Sequence, residues 1–345
     1  MIANIAENGS YGVGIRGMGT FLPEKILTNH ELSKQIPTTD EWIRNKIGVG
    51  ERRIADDGET LSNMATIAGR RAIENAGLKP EEIDLIILAR VDPDHIDPST
   101  SFKVQDNLGA VNAGAFDAVI GGCPGSVYAL SIGASFVASG SCKNVLVIGG
   151  DIISRNLINW NDRETCCFFG DGAGAAVLSR LPKGQGIQSY LMKVDGSRYN
   201  ACIIPAGGLK MPIDSENVSD VKKRYLNMDN KGVWNFATTV LPESIIQVAE
   251  KSGVQVKDID MIISHQANIN IIRTSLEKVG LSMDKTHTTI EKYGNTGGAS
   301  TLITLAEAVA EKKVKKGDKV VMVSFGAGLA WSGLLLEWHE QSDFN

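Results

Sequence analysis

Short apolar runs alternate along the chain with longer segments of helical periodicity. Four of the runs are nearly continuous in valine, isoleucine and leucine, and they span residues 83–91, 143–151, 259–266 and 318–326. Strands that are buried on both faces of a parallel sheet have this composition. Between the runs lie helix-like segments such as residues 297–314 and residues 59–77, and the latter ends at Gly77, a residue type that often follows a helix C-terminus. The alternation predicts an α/β fold.

The same pattern occurs twice in the chain. Residue 83 in the first run aligns with residue 259 in the third, an offset of 176. The offset also aligns residues 144–150 with a run starting at 319 or 320, and the helix after Cys123 with the helix after residues 294–300. We therefore expect two homologous halves, residues 11–182 and residues 183–345. Equivalent strand ends of two such halves can line one cleft.

Composition narrows the class of protein. The chain has 345 residues, of which 43% are hydrophobic and 22% charged, as in ordinary globular proteins. A net charge of −5 argues against nucleic acid as the main partner. No apolar run approaches the roughly 20 residues that cross a bilayer, and the first residues do not read as a signal peptide. Five cysteines without a CxxC pair predict a cytoplasmic protein with reduced thiols. The histidines lack metal-ligand spacing, so we expect no metal site.

Cys123 is the first candidate for chemistry. It stands in GGCPGSVYAL (121–130), before a proline that suits the first turn of a helix. A helix N-terminus favours the thiolate over the thiol. Free cysteine is more often a buried packing residue, so this segment alone leaves both interpretations open. The other four cysteines lack such a setting, and we expect them to be packing residues.

Two polar residues follow strands or precede helices in positions that the repeat matches to Cys123. His265 follows the third apolar run, and Asn295 precedes the helix equivalent to the one that Cys123 opens. Each alone could be structural, His265 as a strand-end residue and Asn295 as a turn residue. An intracellular cysteine with a distant histidine and asparagine is a known nucleophile–base arrangement. The glycines of FGDGAGA (169–175) do not match GxGxxG, and we interpret them as a tight turn.

The chain resembles a known family in five segments that occur in family order. These segments are TTDEWIRNKIGVGERR (38–53), AFDAVIGGCPGSVYAL (115–130), DRETCCFFGDGAGAAVL (162–178), SHQANINII (264–272) and YGNTGGAS (293–300). They are similar to the β-ketoacyl-acyl-carrier-protein synthase III family of thiolase-like condensing enzymes. The resemblance implies a duplicated αβαβα sandwich of five layers with two pseudo-symmetric halves, and a homodimer.

The resemblance also implies a reaction. Cys123 would take an acyl group from a coenzyme A thioester and condense it with a malonyl thioester on acyl carrier protein, with loss of carbon dioxide. His265 and Asn295 would stabilise the enolate, and the backbone N–H groups of Cys123 and Ala327 would form the oxyanion hole. The resemblance implies no metal or redox cofactor. Coenzyme A enters as part of a substrate.

Four residues would contact coenzyme A by the same resemblance. Trp42 would stack on the adenine, and Arg163 would cover its other face. Asn268 would contact the pantetheine arm. Lys46 stands where the family often has arginine, and it keeps the positive charge without the planar fork.

The chain departs from the family pattern near the substrate entrance and the acyl pocket. Asn270 and Asn235 replace two cations associated with carrier-protein docking, and VKKRY (221–225) could compensate. One extra residue precedes Cys123 in FDAVIGGC, and Asp97 replaces an aromatic residue. The starter acyl group and the carrier protein therefore stay open.

Two alternatives remain beside fatty-acid or polyketide initiation. One is a homologue of secondary metabolism that keeps the Cys–His–Asn set and serves a different acceptor. The other is a non-catalytic dimer partner or acyl-chain binder.

Overall fold

The four apolar runs form strands of two five-stranded sheets; three are inner strands, and the run at residues 259–266 forms an edge strand. The computed structural model describes residues 1–344. Its strands are β1 (Ile2–Asn4), β2 (Gly12–Phe21), β3 (Ile26–Thr28), β4 (Glu51–Arg53), β5 (Leu85–Ala89), β6 (Gly114–Ala118), β7 (Asn144–Asp151), β8 (Gly172–Leu181), β9 (Ile187–Val194), β10 (Cys202–Ile203), β11 (Asn227–Met228), β12 (Met261–Ser264), β13 (Lys319–Gly326) and β14 (Ala330–Glu337).

The helices connect and cover these strands. They are α1 (Ile5–Asn8), α2 (Asn29–Leu32), α3 (Asp40–Lys46), α4 (Leu61–Asn75), α5 (Thr100–Leu108), α6 (Gly125–Ala138), α7 (Ile153–Asn156), α8 (Arg163–Cys166), α9 (Val221–Arg224), α10 (Asn230–Lys251), α11 (Ile269–Lys278), α12 (Ile290–Tyr293) and α13 (Ser300–Ala310). Gly77 follows α4 with a φ of +66°, which suits glycine at a helix end.

Four strands of each large sheet follow matching orders, β2-β8-β7-β5 in the N-terminal sheet and β9-β14-β13-β12 in the C-terminal sheet. The N-terminal sheet runs β2-β8-β7-β5-β6, and the C-terminal sheet runs β1-β9-β14-β13-β12. One pair that the repeat makes equivalent is parallel in both sheets, β5 with β7 and β12 with β13. The neighbouring pair is antiparallel, β7 with β8 and β13 with β14.

Side chains alternate between the two faces of each sheet and so define five layers. Val147 of β7 and Met322 of β13 point inward to a core that includes Leu130 of α6 and Leu302 of α13. The outer face of the N-terminal sheet, with Leu146, packs against α4 and α5, and the outer face of the C-terminal sheet packs against α10 and α11. The period of two along each strand produces this arrangement. The predicted αβαβα sandwich is confirmed.

The helices α6 and α13 lie at the centre of the repeat. Ser126 near the start of α6 and Thr301 near the start of α13 are 175 residues apart in sequence, and their hydroxyl oxygens are 2.8 Å apart. The offset between β5 and β12 is 176, as predicted, and β7 and β13 start 175 residues apart.

The chain passes from the N-terminal sheet to the C-terminal sheet between β8 and β9. The strand β8 ends at Leu181 and β9 begins at Ile187, on either side of the predicted boundary at 182–183. Residues 1–10, outside both predicted halves, contribute β1, which pairs with β9 in the C-terminal sheet. Within residues 1–344, no helix is both long and apolar enough to cross a membrane.

The interpretation of residues 169–175 as a tight turn was wrong for most of its length. Residues 172–175 lie in β8, an inner strand. Their glycines allow close packing: a Cβ on Gly174 would lie 2.7 Å from Leu302 Cβ of α13. The close approach of α13 to the N-terminal sheet therefore requires glycine there.

Candidate active site

A cavity of about 940 Å³ opens where the two halves meet. Cys123, His265, Asn295 and Ala327 all line it. Most of the remaining lining is apolar, including Ile120, Leu157, Phe169, Trp234 and Leu329. The structure therefore brings together residues that are up to 204 positions apart in sequence, from Cys123 to Ala327.

Cys123 lies two residues before α6, and Pro124 caps that helix. Its carbonyl accepts a 2.8 Å hydrogen bond from Ser324 Oγ, which fixes it against β13. Burial raises the pKa of the Cys123 thiol, and the charges of Asp151 and Cys202 raise it further. Hydrogen bonds from its own N–H and from Asn295 oppose this rise without cancelling it. At the resting site, desolvation therefore opposes the thiolate that the helix N-terminus favours.

His265 directly follows β12, as predicted. Its Nδ1 is 2.7 Å from Ser300 Oγ, and its ring meets the Phe325 ring edge-on with 5.4 Å between centroids. Only 2% of the residue is exposed. Burial lowers the pKa of His265 to about 3, so the imidazole is neutral at physiological pH.

Asn295 is held by its backbone and by one side-chain atom. Its N–H donates to Phe168 O at 2.8 Å, and its carbonyl accepts from Gly170 N–H at 3.0 Å. Its Oδ1 accepts the Gly297 N–H at 2.9 Å. The amide NH₂ is thus the side-chain group left to face the cavity and the Cys123 sulfur.

The backbone N–H of Ala327, predicted to form the oxyanion hole, is engaged in this structure. It donates to the carbonyl of Gly121 at 3.0 Å. Gly121 and Gly122 have φ values of +52° and +69°, and a Cβ on Gly121 would lie 2.0 Å from Ala327 O. These glycines belong to the segment FDAVIGGC that leads to Cys123. Ala327 can therefore donate to a substrate only after the Gly121 carbonyl moves.

The adenine slot predicted between Trp42 and Arg163 is closed. Trp42 lines the cavity, and the Arg163 Cζ atom lies 4.6 Å from the centroid of its ring. An Arg163 nitrogen donates to Pro37 O at 3.3 Å. Adenine could stack on Trp42 only if the Arg163 guanidinium moved away from the ring.

Asn268 and Lys46 line the cavity and join the two halves. Asn268 Nδ2 donates to the Lys46 carbonyl at 2.9 Å, and its Oδ1 accepts the Asn270 N–H at 2.9 Å, which caps α11. Both polar atoms of the Asn268 side chain therefore already make a hydrogen bond. Pantetheine could bond only to the second N–H of Nδ2 or the second lone pair of Oδ1. Asn270 donates to the same Lys46 carbonyl.

The sequence did not lead us to predict that Cys202 lines the cavity or that Asp151 lies beside it. Cys202 was expected to be a packing residue, but it is half-buried and lines the same cavity as Cys123. Asp151 is fully buried at the end of β7, next to the Asn295 segment. Nothing in their sequence neighbourhoods pointed to the site, because the packing of distant elements brings them there.

A cluster of possible metal ligands lies outside the cavity. His287, Glu307 and Glu311 have ligand atoms within 4.8 Å of one another. Lysine side chains already occupy it: Lys313 Nζ is 3.0 Å from His287 Nδ1, and Lys292 Nζ is 2.6 Å from Glu307. We expected the histidines to be scattered and did not predict this cluster. In the structure its members form an ion-pair network with the two lysines.

A duplicated αβαβα fold with cysteine, histidine and asparagine around one cavity defines the class of thiolase-like condensing enzymes. Residues 116–196 match the family 3-oxoacyl-[acyl-carrier-protein] synthase III, and residues 249–338 match its C-terminal domain. The chain belongs to the β-ketoacyl-[acyl-carrier-protein] synthase III family, and it is an acyl-transferring condensing enzyme of this type.

Relatives and solved structures agree with this assignment. The β-ketoacyl-[acyl-carrier-protein] synthase III of Caldanaerobacter subterraneus subsp. tengcongensis is 46% identical over 325 residues, 94% of this chain and 97% of that protein. The 3-oxoacyl-[acyl-carrier-protein] synthase III of Aquifex aeolicus superposes with a TM-score of 0.87 at 40% identity, covering 95% of this chain and 100% of that one. The priming β-ketosynthase of the R1128 polyketide pathway has a TM-score of 0.87 at 33% identity, covering 95% and 96%.

Proposed function

We propose that the chain loads an acyl group from acyl-coenzyme A onto Cys123 and condenses it with a malonyl group on acyl carrier protein. The product would be a 3-ketoacyl thioester that starts a fatty-acid or polyketide-type chain. One observation carries the proposal: Cys123 of one half and His265 and Asn295 of the other line one apolar cavity.

The first step transfers the acyl group. The Cys123 sulfur attacks the thioester carbonyl, coenzyme A leaves as the thiol, and the Cys123 proton goes to the leaving sulfur. His265, with a pKa of about 3, is too weak a base to hold that proton. The N–H groups of Cys123 and Ala327 would stabilise the tetrahedral oxyanion, once the Gly121 carbonyl has released Ala327.

The second step forms the carbon–carbon bond. His265 and Asn295 would donate hydrogen bonds to the malonyl thioester carbonyl while carbon dioxide leaves, and the enolate carbon would attack the acyl group on Cys123. The Cys123 sulfur departs as the thiolate and takes up one proton from water. Neutral donors suit this step, because they stabilise a developing enolate oxygen without protonating the carbon.

Ser300 would set the tautomer of His265 for this step. Ser300 Oγ lies 2.7 Å from His265 Nδ1, and in the proposed arrangement the hydroxyl donates its hydrogen to that nitrogen. The proton of the neutral ring is then on Nε2, on the side away from Ser300. We therefore assign His265 Nε2–H as the donor to the thioester.

The partners follow from the same proposal. The edge strand β6 supports a homodimer, because Val111 and Val119 beside it are 72% and 62% exposed. The cations of α9 and Arg273, which donates to Asn270 at 2.8 Å, support docking of an acidic carrier protein. We propose a cytoplasmic location, which five free thiols support, and a reaction without metal or redox cofactor.

Intact-mass analysis tests the acyl step. The protein is exposed to a panel of acyl-coenzyme A donors, and one acyl group should appear on Cys123 in wild type and in Cys202→Ala but not in Cys123→Ala. Malonyl carrier protein is then added, and mass spectrometry should detect the 3-ketoacyl product. Absence of any acylation across the panel would favour the non-catalytic alternative.

A second candidate function keeps the acyl step and changes the acceptor. It is favoured by Asp97, by Asn235 and Asn270, and by the extra residue before Cys123, which are the places where the sequence departs from the family pattern. Acylation without condensation onto malonyl carrier protein would support it. A panel of acceptor thioesters would then identify the substrate class.

A further inference from the structure

Asp151 is a buried carboxylate that the proposed reaction does not use. It ends β7 and has no exposed surface. Its Oδ1 accepts the Val91 N–H at 2.7 Å, and its Oδ2 accepts the Gly298 N–H at 2.9 Å. Within residues 1–344 no lysine or arginine pairs with it. Such burial is costly, so the carboxylate needs an explanation.

The two hydrogen bonds of Asp151 connect the halves beside the site. Val91 follows β5 in the N-terminal half, whereas Gly298 belongs to the turn between Asn295 and α13 in the C-terminal half. The contact is tight, since a Cβ on Gly297 would lie 2.4 Å from Asp151 Oδ2. A Cβ on Gly149 would likewise lie 2.5 Å from Gly298 O. The carboxylate therefore fixes the turn at 297–298 against the end of β7.

This turn orients the Asn295 amide. Gly297 N–H donates to Asn295 Oδ1 at 2.9 Å, which leaves the NH₂ group for the cavity. A displacement of residues 297–298 would rotate the amide or remove this bond. Asp151 reaches Asn295 through the adjoining peptide rather than by direct contact.

Activation of the nucleophile does not explain Asp151. Its negative charge raises the pKa of the Cys123 thiol and so opposes thiolate formation. Burial raises the pKa of Asp151 itself to about 7. Asp151 therefore costs stability and opposes thiolate formation at Cys123. The turn that its hydrogen bonds hold in place is the better explanation for its presence.

We propose that Asp151 is a positioning residue for the condensation step, which holds the turn at 297–298 so that the Asn295 amide faces the thioester. This inference rests on the proposed function. It separates two steps that share one cavity: condensation needs the oriented amide, whereas acyl transfer relies on the N–H groups of Cys123 and Ala327.

The test compares condensation with acylation in one preparation of Asp151→Asn. The substitution keeps the shape but places an NH₂ group opposite one of two N–H donors. We expect condensation with malonyl carrier protein to slow 10-fold or more through kcat, and acylation of Cys123 to change by less than threefold. Because both rates come from the same sample, partial unfolding cancels in their ratio.

Asp171→Asn is the matched control. Asp171 is also buried, and it accepts from Ala55 N–H at 2.8 Å and from Ser154 N–H and Oγ at 3.0 and 2.5 Å, all in the N-terminal half. We expect a similar loss of thermal stability with an unchanged ratio of the two rates. Gly297→Ala pushes the Asp151 carboxylate away from the turn. It should change the ratio of the condensation and acylation rates as Asp151→Asn does, and it replaces Asp151→Asn if the latter does not fold.

Two results would overturn the inference: Asp151→Asn condensing at the wild-type rate, or both steps slowing equally. Failure of the proposed function gives a different result, because wild type itself would then not be acylated or not condense. A change in the ratio with Asp171→Asn as large as with Asp151→Asn would also count against a specific role for Asp151.

Discussion

The helices α6 and α13 occupy equivalent places in the two halves, yet their starts carry different chemistry. Cys123 and Pro124 precede α6, whereas Asn295 and two glycines precede α13. Ser126 and Thr301, one residue inside each helix, touch across the pseudo-dyad. The two helices thus share equivalent backbone positions because the fold is duplicated. The residue types before each helix determine what that helix start does in the site. One half supplies the nucleophile and the other supplies hydrogen-bond donors.

The sheet edges differ as well. The N-terminal sheet ends in β6, which pairs with β5 over five residues. The equivalent edge of the C-terminal sheet has only a single bridge between Ile262 and Thr286. The C-terminal sheet gains its fifth strand at the opposite edge, from β1. The N-terminal half therefore keeps the exposed edge that a second copy could extend.

Removing the donors of the C-terminal half should have the largest effect. We expect His265→Ala or Asn295→Ala to slow condensation by about 10²–10³, as for loss of one preorganised donor. Acylation of Cys123 should continue, because the nucleophile lies in the other half. Rapid-quench mass spectrometry measures both steps. Equal loss of acylation would contradict this division between the halves.

Acid should destabilise the C-terminal half through His265. Its pKa of about 3 in the folded state lies below the ordinary 6.5, so the unfolded chain binds a proton that the folded chain excludes. Stability is therefore lost as pH falls below 6.5, by about 2 kcal/mol from His265 between pH 7.5 and 5.

Urea unfolding of wild type and His265→Asn at both pH values measures this effect. The variant should lose less stability than wild type on acidification. Identical pH dependence in the two proteins would mean that His265 is protonated in the folded state.

The contact on the pseudo-dyad can be tested by a double-mutant cycle. Ser126→Ala leaves the buried Thr301 hydroxyl without this partner and should cost about 1–2 kcal/mol of unfolding free energy. Adding Thr301→Val should cost less than the sum of the single changes. Strict additivity in chemical denaturation would show that the hydrogen bond does not couple the helices.

The entrance for coenzyme A should belong to the N-terminal half. Trp42→Ala is expected to weaken coenzyme A binding by about 1 kcal/mol, roughly fivefold, through lost stacking of the adenine base. Arg163→Ala should weaken it less, because its removal also frees the Trp42 ring. Titration calorimetry with coenzyme A measures the loss of binding for each variant. An equal loss for both variants would contradict the closed slot.

The sequence was sufficient for the elements that carry Cys123, His265 and Asn295, because strong periodicity and a repeated offset are local signals. It was not sufficient for Asp151, whose two hydrogen bonds form between loops of different halves. The glycines of β8 were misinterpreted because close packing of α13 and a tight turn impose the same residue type. The protonation of Cys123 depended on burial, which a helix start does not reveal.

The hydrogen bond from Ala327 to Gly121 has a consequence for inhibitor design. A compound that mimics the tetrahedral oxyanion must first break this internal bond, which costs it on the order of 1 kcal/mol. A compound that fills the apolar cavity and leaves the bond intact avoids that cost.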